Sequence, residues 1–84
     1  QFTELTRHND NRRTVNLSWS KVNDATGYNI RFGTQKNKLY HNYLVYEDNK
    51  VSINILNADQ TYYFAIDSFN EAGVTIGKEI KTIQ

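Results

Sequence analysis

Leu56 and Tyr62, six residues apart, constrain this 84-residue chain more than any other pair. They sit in the stretch Ile53-Asn-Ile-Leu56-Asn-Ala-Asp-Gln-Thr-Tyr62-Tyr-Phe64-Ala-Ile66-Asp-Ser68-Phe-Asn70-Glu-Ala-Gly73. A leucine closes one apolar run, a short polar turn follows, and a tyrosine opens a strictly alternating strand. A tyrosine corner has this spacing: the leucine ends its strand in the core and the chain reverses. The tyrosine ring then packs inside while its hydroxyl bonds to the backbone of the turn.

The same period of two runs through the rest of the chain, and no segment holds a 3.6-residue apolar period. Phe2 to Arg7 reads as a first strand, with Phe2 or Leu5 facing in. His8 to Arg13 is a polar turn. Thr14 to Ser20 is a second strand, in which Val15, Leu17 and Trp19 share one face. Lys21 to Thr26 is a loop and Gly27 opens a third strand, with Tyr28, Ile30 and Phe32 inward and Asn29 and Arg31 outward. Leu39 to Glu47 is a strand beside the third one. The turn Glu47 to Lys50 follows, with Asn49 expected at positive φ. Val51 to Leu56 supplies Val51, Ile53 and Ile55 to the core. Tyr62 to Phe69 turns Tyr62, Phe64, Ile66 and Ser68 inward, and a last strand runs from Gly77 to Ile83. Seven short strands with turns between them imply an all-β, seven-stranded antiparallel immunoglobulin-like sandwich. The core is expected at Trp19, Tyr28, Ile30, Leu56, Tyr62, Phe64 and Ile66.

A chain of this length is one domain, residues 1–84, and buries only ~60–65% of the surface its unfolded form exposes. It contains no Met, so it is expected to be processed or excised from a larger multidomain protein. Ten Lys+Arg against nine Asp+Glu leave a net charge of +1, scattered along the chain. Nucleic-acid binding by a basic stripe is not indicated, and no apolar run approaches a membrane span of ~18 residues. With no Cys there is neither a disulfide framework nor a thiolate metal site.

Catalytic patterns are equally scarce. His8 and His41 lie in different segments, with no spacing that pairs two imidazoles. Glu47-Asp48 offers two or three oxygens, where Ca²⁺ wants about six to eight. There is no Gly-x-Ser-x-Gly elbow and no glycine-rich loop before a helix. Paired carboxylates for glycoside hydrolysis sit across a cleft at ~5–9.5 Å, whereas the nine acids of this small closed sandwich read as turn formers and solvated surface. The expectation is a non-enzyme with no metal and no cofactor. Arg31-Phe32-Gly33 is not an Arg-Gly-Asp adhesion loop, and the sequon Asn16-Leu17-Ser18 falls within a strand.

One surface invites a partner. Tyr63 and Phe69 project outward from their strand, Asn29 and Arg31 from the third, and Tyr40 and Tyr46 share parity beside them. Interleaved with Asp67, these residues are candidates for cross-strand pairing, for a contact face against a neighbouring domain, or for a glycan platform.

Trp19, Leu56, Tyr62 and the Asn70…Gly73 ending resemble those of a fibronectin type III domain, over nearly the whole chain. That family usually carries prolines near the first strand and in the turn at Asn57-Ala-Asp-Gln60, and this chain has none. Asp59 is expected to hydrogen-bond its own turn instead. Ala25-Thr-Gly-Tyr28-Asn-Ile-Arg-Phe-Gly33, Lys38-Leu-Tyr40-His-Asn-Tyr43 and the segment Tyr62 to Gly73 are similar to C-terminal modules of Bacteroidetes glycoside hydrolases of the β-xylosidase or α-arabinofuranosidase type. Eleven Asn with abundant Lys, Ile and Tyr fit an AT-rich bacterial genome. The resemblance implies a non-catalytic spacer or docking module, monomeric in isolation and exported to the periplasm or cell surface. Its partner would be the catalytic domain of the parent chain. The alternatives are a carbohydrate-binding module for plant polysaccharide and a cell-surface protein-interaction module.

Overall fold

The computed structural model describes residues 2–54 and 56–84. Eight strands follow one another: β1 (Phe2–Arg7), β2 (Val15–Trp19), β3 (Gly27–Gly33), β4 (His41–Tyr46), β5 (Lys50–Ile53), β6 (Tyr62–Asn70), β7 (Gly73–Thr75) and β8 (Lys81–Ile83). They form two antiparallel sheets, β1-β2-β5 and β4-β3-β6-β7, with β8 also paired to β6. This is the expected all-β sandwich, with eight strands where seven were expected.

The inward residues of the two sheets meet in one core. Val15, Leu17 and Trp19 of β2 pack with Ile53 of β5, and against Tyr28, Ile30 and Phe32 of β3 and Tyr62, Phe64 and Ile66 of β6. Leu56 is equally buried. Trp19 meets Tyr28 edge-on, with ring centroids 5.3 Å apart. Phe32 stacks on Phe64 at 5.4 Å.

Several boundaries differ from the sequence reading, each for a local reason. Both Phe2 and Leu5 face the core, because the register of β1 against β2 slips between Phe2 and Glu4. Such a bulge adds one residue to one strand and switches the phase beyond it. The strand expected over Leu39 to Glu47 forms only at His41–Tyr46, leaving Tyr40 outside the ladder. β5 stops at Ile53; Leu56 reaches the core from beyond the strand, its N–H donating to Arg13 C=O at 3.1 Å. Ile55 lies outside the described residues.

Asn49 does not take the positive φ. Glu47 does, at φ 59°, as does Asp24 at 67°. Asn49 is already committed: its backbone C=O accepts from Trp19 N–H at 3.0 Å, and its Nδ2 donates to Trp19 C=O at 3.1 Å. The turn is therefore made two residues earlier, where Glu47 N–H donates to Thr26 C=O.

The last strand is two strands. β7 pairs with Ser68 to Asn70 and β8 with Tyr62 to Phe64, so the ladder breaks opposite Ala65 to Asp67. Gly77 lies in the break, so close to β6 that a Cβ there would stand 1.8 Å from the Ile66 carbonyl oxygen. Only glycine permits that approach.

Candidate interaction surface

The candidate residues all lie on or beside the outer face of the five-stranded sheet, and the register fixes their order. Gly27 pairs with Tyr46 of β4 on one side and Phe69 of β6 on the other, and Phe69 pairs in turn with Val74 of β7. Across this row Tyr46 and Phe69 meet edge to face over the glycine, with centroids 5.7 Å apart and planes at 82°. A Cβ on Gly27 would fall 2.6 Å from the Phe69 ring. The missing side chain is thus what lets the two rings close over the strand, an arrangement that protects the backbone of a strand glycine.

The next rows are polar. Asn29 stands between Leu44 and Asp67, and Arg31 between Asn42 and Ala65. Arg31 Nε and Nη2 donate to the two carboxylate oxygens of Asp67 at 2.9 and 3.1 Å, the bidentate fork that suits guanidinium and carboxylate. Arg31 Nη2 also donates to Gly77 C=O at 3.1 Å, and Gly77 N–H donates to Asp67 Oδ1 at 2.9 Å. The chain between β7 and β8 is tied across this ion pair. Asp67, expected among the displayed outward residues, is only 2% exposed as a result. Asn29 Nδ2 donates to Asn42 Oδ1 at 2.9 Å, and Asn29 Oδ1 is buried without a partner among the described residues.

The face therefore does not hold the six candidates together. Tyr46 and Phe69 form one end. Asn29 and Arg31 fill the middle, with their polar groups turned to Asn42, Asp67 and Gly77. Tyr63 is half-buried at the far end, where it pairs with Gly33 and Thr82. It is six residues from Phe69, roughly 20 Å along an extended strand. Tyr40 is 76% exposed just ahead of β4. Leu44, Val74 and Ile76, which sequence reasoning did not single out, are exposed near the Tyr46–Phe69 end. The signal for Leu44 was its parity with Tyr46 in a strand of matching period.

The corner at the other end of the molecule is built on Tyr62. Asn57 N–H donates to its hydroxyl oxygen at 2.8 Å, and Gln60 N–H closes the turn on Asn57 C=O at 3.1 Å. No hydrogen bond from Asp59 to this turn occurs among the described residues. Arg7 takes that part. It is 8% exposed, its guanidinium lies 5.5 Å from the centre of the Tyr62 ring, and it donates to three carbonyls, those of Arg12, Asn57 and Gln60. Burial lowers the Arg7 pKa from its usual value, and the neighbouring Arg12 charge adds to that. Tyr62 and Asp59 act in the opposite sense. The absent proline is thus replaced by a buried cation.

A second tyrosine does similar work unforeseen. Tyr28 accepts a hydrogen bond from Val22 N–H at 2.9 Å, tying the loop before β3. Asn70 Nδ2 braces the same loop through Asp24 C=O at 3.1 Å.

Among the described residues no group of His, Asp and Glu is placed to hold a metal ion, and no helix is long and apolar enough to cross a membrane. His41 stacks on Phe32, centroids 5.2 Å apart.

No curated protein matches the chain significantly. Among solved structures, an Fn3-like protein from Clostridium thermocellum superposes with TM-score 0.82 at 17% identity, covering 99% of this chain and 88% of that one. The FN1–FN3 domains of chicken CNTN1 give 0.79 at 20% identity, covering 98% of this chain and 29% of that one. An FN3 domain of human collagen XX gives 0.76 at 17%, covering 98% and 86%. At these identities the likeness is one of fold. The sequence profile of the fibronectin type III domain matches residues 2–83, and with nearly its whole length accounted for, the chain belongs to the fibronectin type III domain family.

Proposed function

We propose that this domain is a non-catalytic accessory module of a secreted bacterial glycoside hydrolase, and that it docks against the catalytic domain of its parent. Fibronectin type III domains are commonly modules of larger proteins, and typically non-catalytic ones. The finer assignment draws on the likeness of residues 25–33, 38–43 and 62–73 to modules of such enzymes.

The observation that carries the docking role is the Tyr46–Phe69 end of the outer face. There Leu44, Tyr46, Val74 and Ile76 are exposed beside a half-buried Phe69. Apolar side chains grouped on a sheet whose Arg–Asp pair is already half covered suit burial against another protein surface. A glycan platform is less well supported by the same face. Sugar hydroxyls need free amides and charged forks, but Asn29 Nδ2 and Arg31 Nε and Nη2 already serve Asn42, Asp67 and Gly77. Tyr46 and Phe69 stand edge to face, where a sugar ring prefers a flat platform.

Deletion of the domain from its full-length parent is expected to lower the Tm of the remaining enzyme. Unchanged Tm and activity would remove docking and leave a spacer. Titration of the isolated domain with xylan- and arabinan-derived oligosaccharides, followed by ¹H–¹⁵N NMR, should leave Tyr63, Phe69, Asn29 and Arg31 unshifted. Shifts clustered there would install the carbohydrate-binding reading instead.

A further inference from the structure

A sandwich has open sheet edges, and each is a row of backbone donors and acceptors that another strand can use. Three of the edges here carry a guard. β1 is bulged between Phe2 and Glu4. β5 is four residues long and opens on Lys50. The β7–β8 edge is broken where Gly77 folds onto β6.

β4 carries none. Its six residues, His41-Asn-Tyr-Leu-Val-Tyr46, include no Lys, Arg, Asp, Glu, Pro or Gly. Tyr and Val are among the residues that most favour strands. Its ladder to β3 is regular over all six residues, and among the described residues it pairs with no other strand.

The hydrogen-bond phase shows which groups the edge offers. Glu47 N–H donates to Thr26 C=O, and the register continues as Gly27↔Tyr46, Tyr28↔Val45 and onward to Phe32↔His41. In an antiparallel ladder hydrogen-bonded pairs alternate with non-bonded ones. Val45, Tyr43 and His41 therefore turn their N–H and C=O toward β3. Tyr46, Leu44 and Asn42 turn theirs to the free edge.

We propose that this edge pairs antiparallel with β4 of a second copy of the chain, making a two-fold dimer in which the two five-stranded sheets become one. The free groups are spaced for it. With the two-fold axis at Leu44, Leu44 faces Leu44 of the second copy and Asn42 faces its Tyr46. All three outward-turned residues then occupy hydrogen-bonded positions, and each pair exchanges two bonds. On the outer side Leu44, 52% exposed, meets its own counterpart; on the inner side Tyr43 meets Val45.

Self-pairing brings the charges of both copies to one seam, which is costly for a strand whose charges share a sign. β4 has no formal charge to oppose, and the chain carries only +1. The occupant is thus a second β4 because the strand is complementary to itself. An edge contact of this kind lies at the small, weak end of protein interfaces, below ~1,200 Å², so the dimer is expected to build up with concentration. The inference does not depend on the accessory-module reading, and it departs from the monomer that the resemblance to such modules implies.

Sedimentation velocity of the 84-residue chain from about 10 µM to 1 mM, the range of a weak contact, is expected to show a monomer–dimer equilibrium. Backbone amide exchange at Asn42, Leu44 and Tyr46 should slow with concentration, while Tyr43 and Val45 stay protected throughout. Leu44→Lys places two cations at the axis and is expected to raise the dissociation constant at least tenfold. Its circular dichroism and Tm should remain those of the monomer. Val74→Lys, on the same face but at the opposite edge, should leave the dimer intact. A chain that is monomeric across the range overturns the proposal. So does a dimer lost equally in both variants, which would mean that outer faces stack. Concentration-independent exchange at Leu44, or slowing only on addition of an unrelated extended peptide, would overturn it too.

Discussion

The two ends of the sandwich are each tied by a tyrosine hydroxyl, and they differ in what supports the tie. At one end Tyr62 accepts from Asn57 N–H, and the same turn gives two carbonyls to the buried Arg7. At the other, Tyr28 accepts from Val22 N–H in an exposed loop, with one further bond from Asn70. The first end is closed and satisfied. The second opens into a cleft of about 150 Å³ lined by Trp19, Ser20, Tyr28, Ser68 and Thr75, and the buried indole Nε1–H of Trp19 finds no acceptor among the described residues. Nearly equal hydroxyl-to-amide distances, 2.8 and 2.9 Å, therefore do not imply equal contributions. A hydrogen bond is worth most where water cannot replace it.

The largest effect should come from removing the packing under the weaker tie. Trp19 is buried against Tyr28, so Trp19→Ala should destabilise by about 3–5 kcal/mol as a large-to-small core change. For a small domain that is much of the total stability. Urea denaturation measures it, and a loss near zero would mean that the ring does not support the Tyr28 end. Next comes Arg7→Ala, which takes a buried guanidinium from three part-buried carbonyls, those of Arg12, Asn57 and Gln60, at an expected cost of about 2–4 kcal/mol. Arg7→Lys should recover little, because a single ammonium lacks the planar fork that reaches three acceptors. A full rescue by lysine would reduce Arg7 to a diffuse charge and erase the contrast between the ends.

The same contrast marks what the sequence could and could not tell. Alternation in Val15-Asn-Leu17-Ser-Trp19 and in Tyr62 to Ser68 reports burial directly, because a strand shows successive side chains to opposite faces. Leu56 and Tyr62 report the corner because both partners are local. Arg7 is different. A cation at a strand end reads as solvated, and nothing near it in sequence reveals that carbonyls of Asn57 and Gln60 will surround it. Asp67 misleads similarly. Its outward parity is right, but the chain around Gly77 returns from beyond β7 to cover it. The candidate surface was legible in direction only. Parity placed Asn29, Arg31, Tyr46 and Phe69 on one face, whereas their division into an aromatic end and an internally bonded middle follows from cross-strand register. Asn49 lost its turn position for the same reason, since its partner Trp19 is distant in sequence.

The finer comparison concerns the hydroxyls themselves. Tyr62→Phe strips an acceptor from Asn57 N–H beneath the Arg7 cover and should cost about 1–3 kcal/mol. Tyr28→Phe frees Val22 N–H at an exposed loop, where water can take over, and should cost less, about 0.5–1.5 kcal/mol. A reversed order would mean that the cleft beside Trp19, not the Arg7 corner, is the drier end. Tyr63 supplies the baseline. It neighbours Tyr62 in sequence but faces the opposite side of β6, half-buried. None of the side-chain hydrogen bonds among the described residues uses its hydroxyl, so Tyr63→Phe should change stability by less than about 0.5 kcal/mol, as for a surface substitution. The three denaturation midpoints, measured together, separate position from chemistry: the same atom is removed each time, and only its surroundings differ. Equal losses at Tyr62 and Tyr63 would show that the strand tolerates either ring without its oxygen, and the corner would then be a packing motif alone.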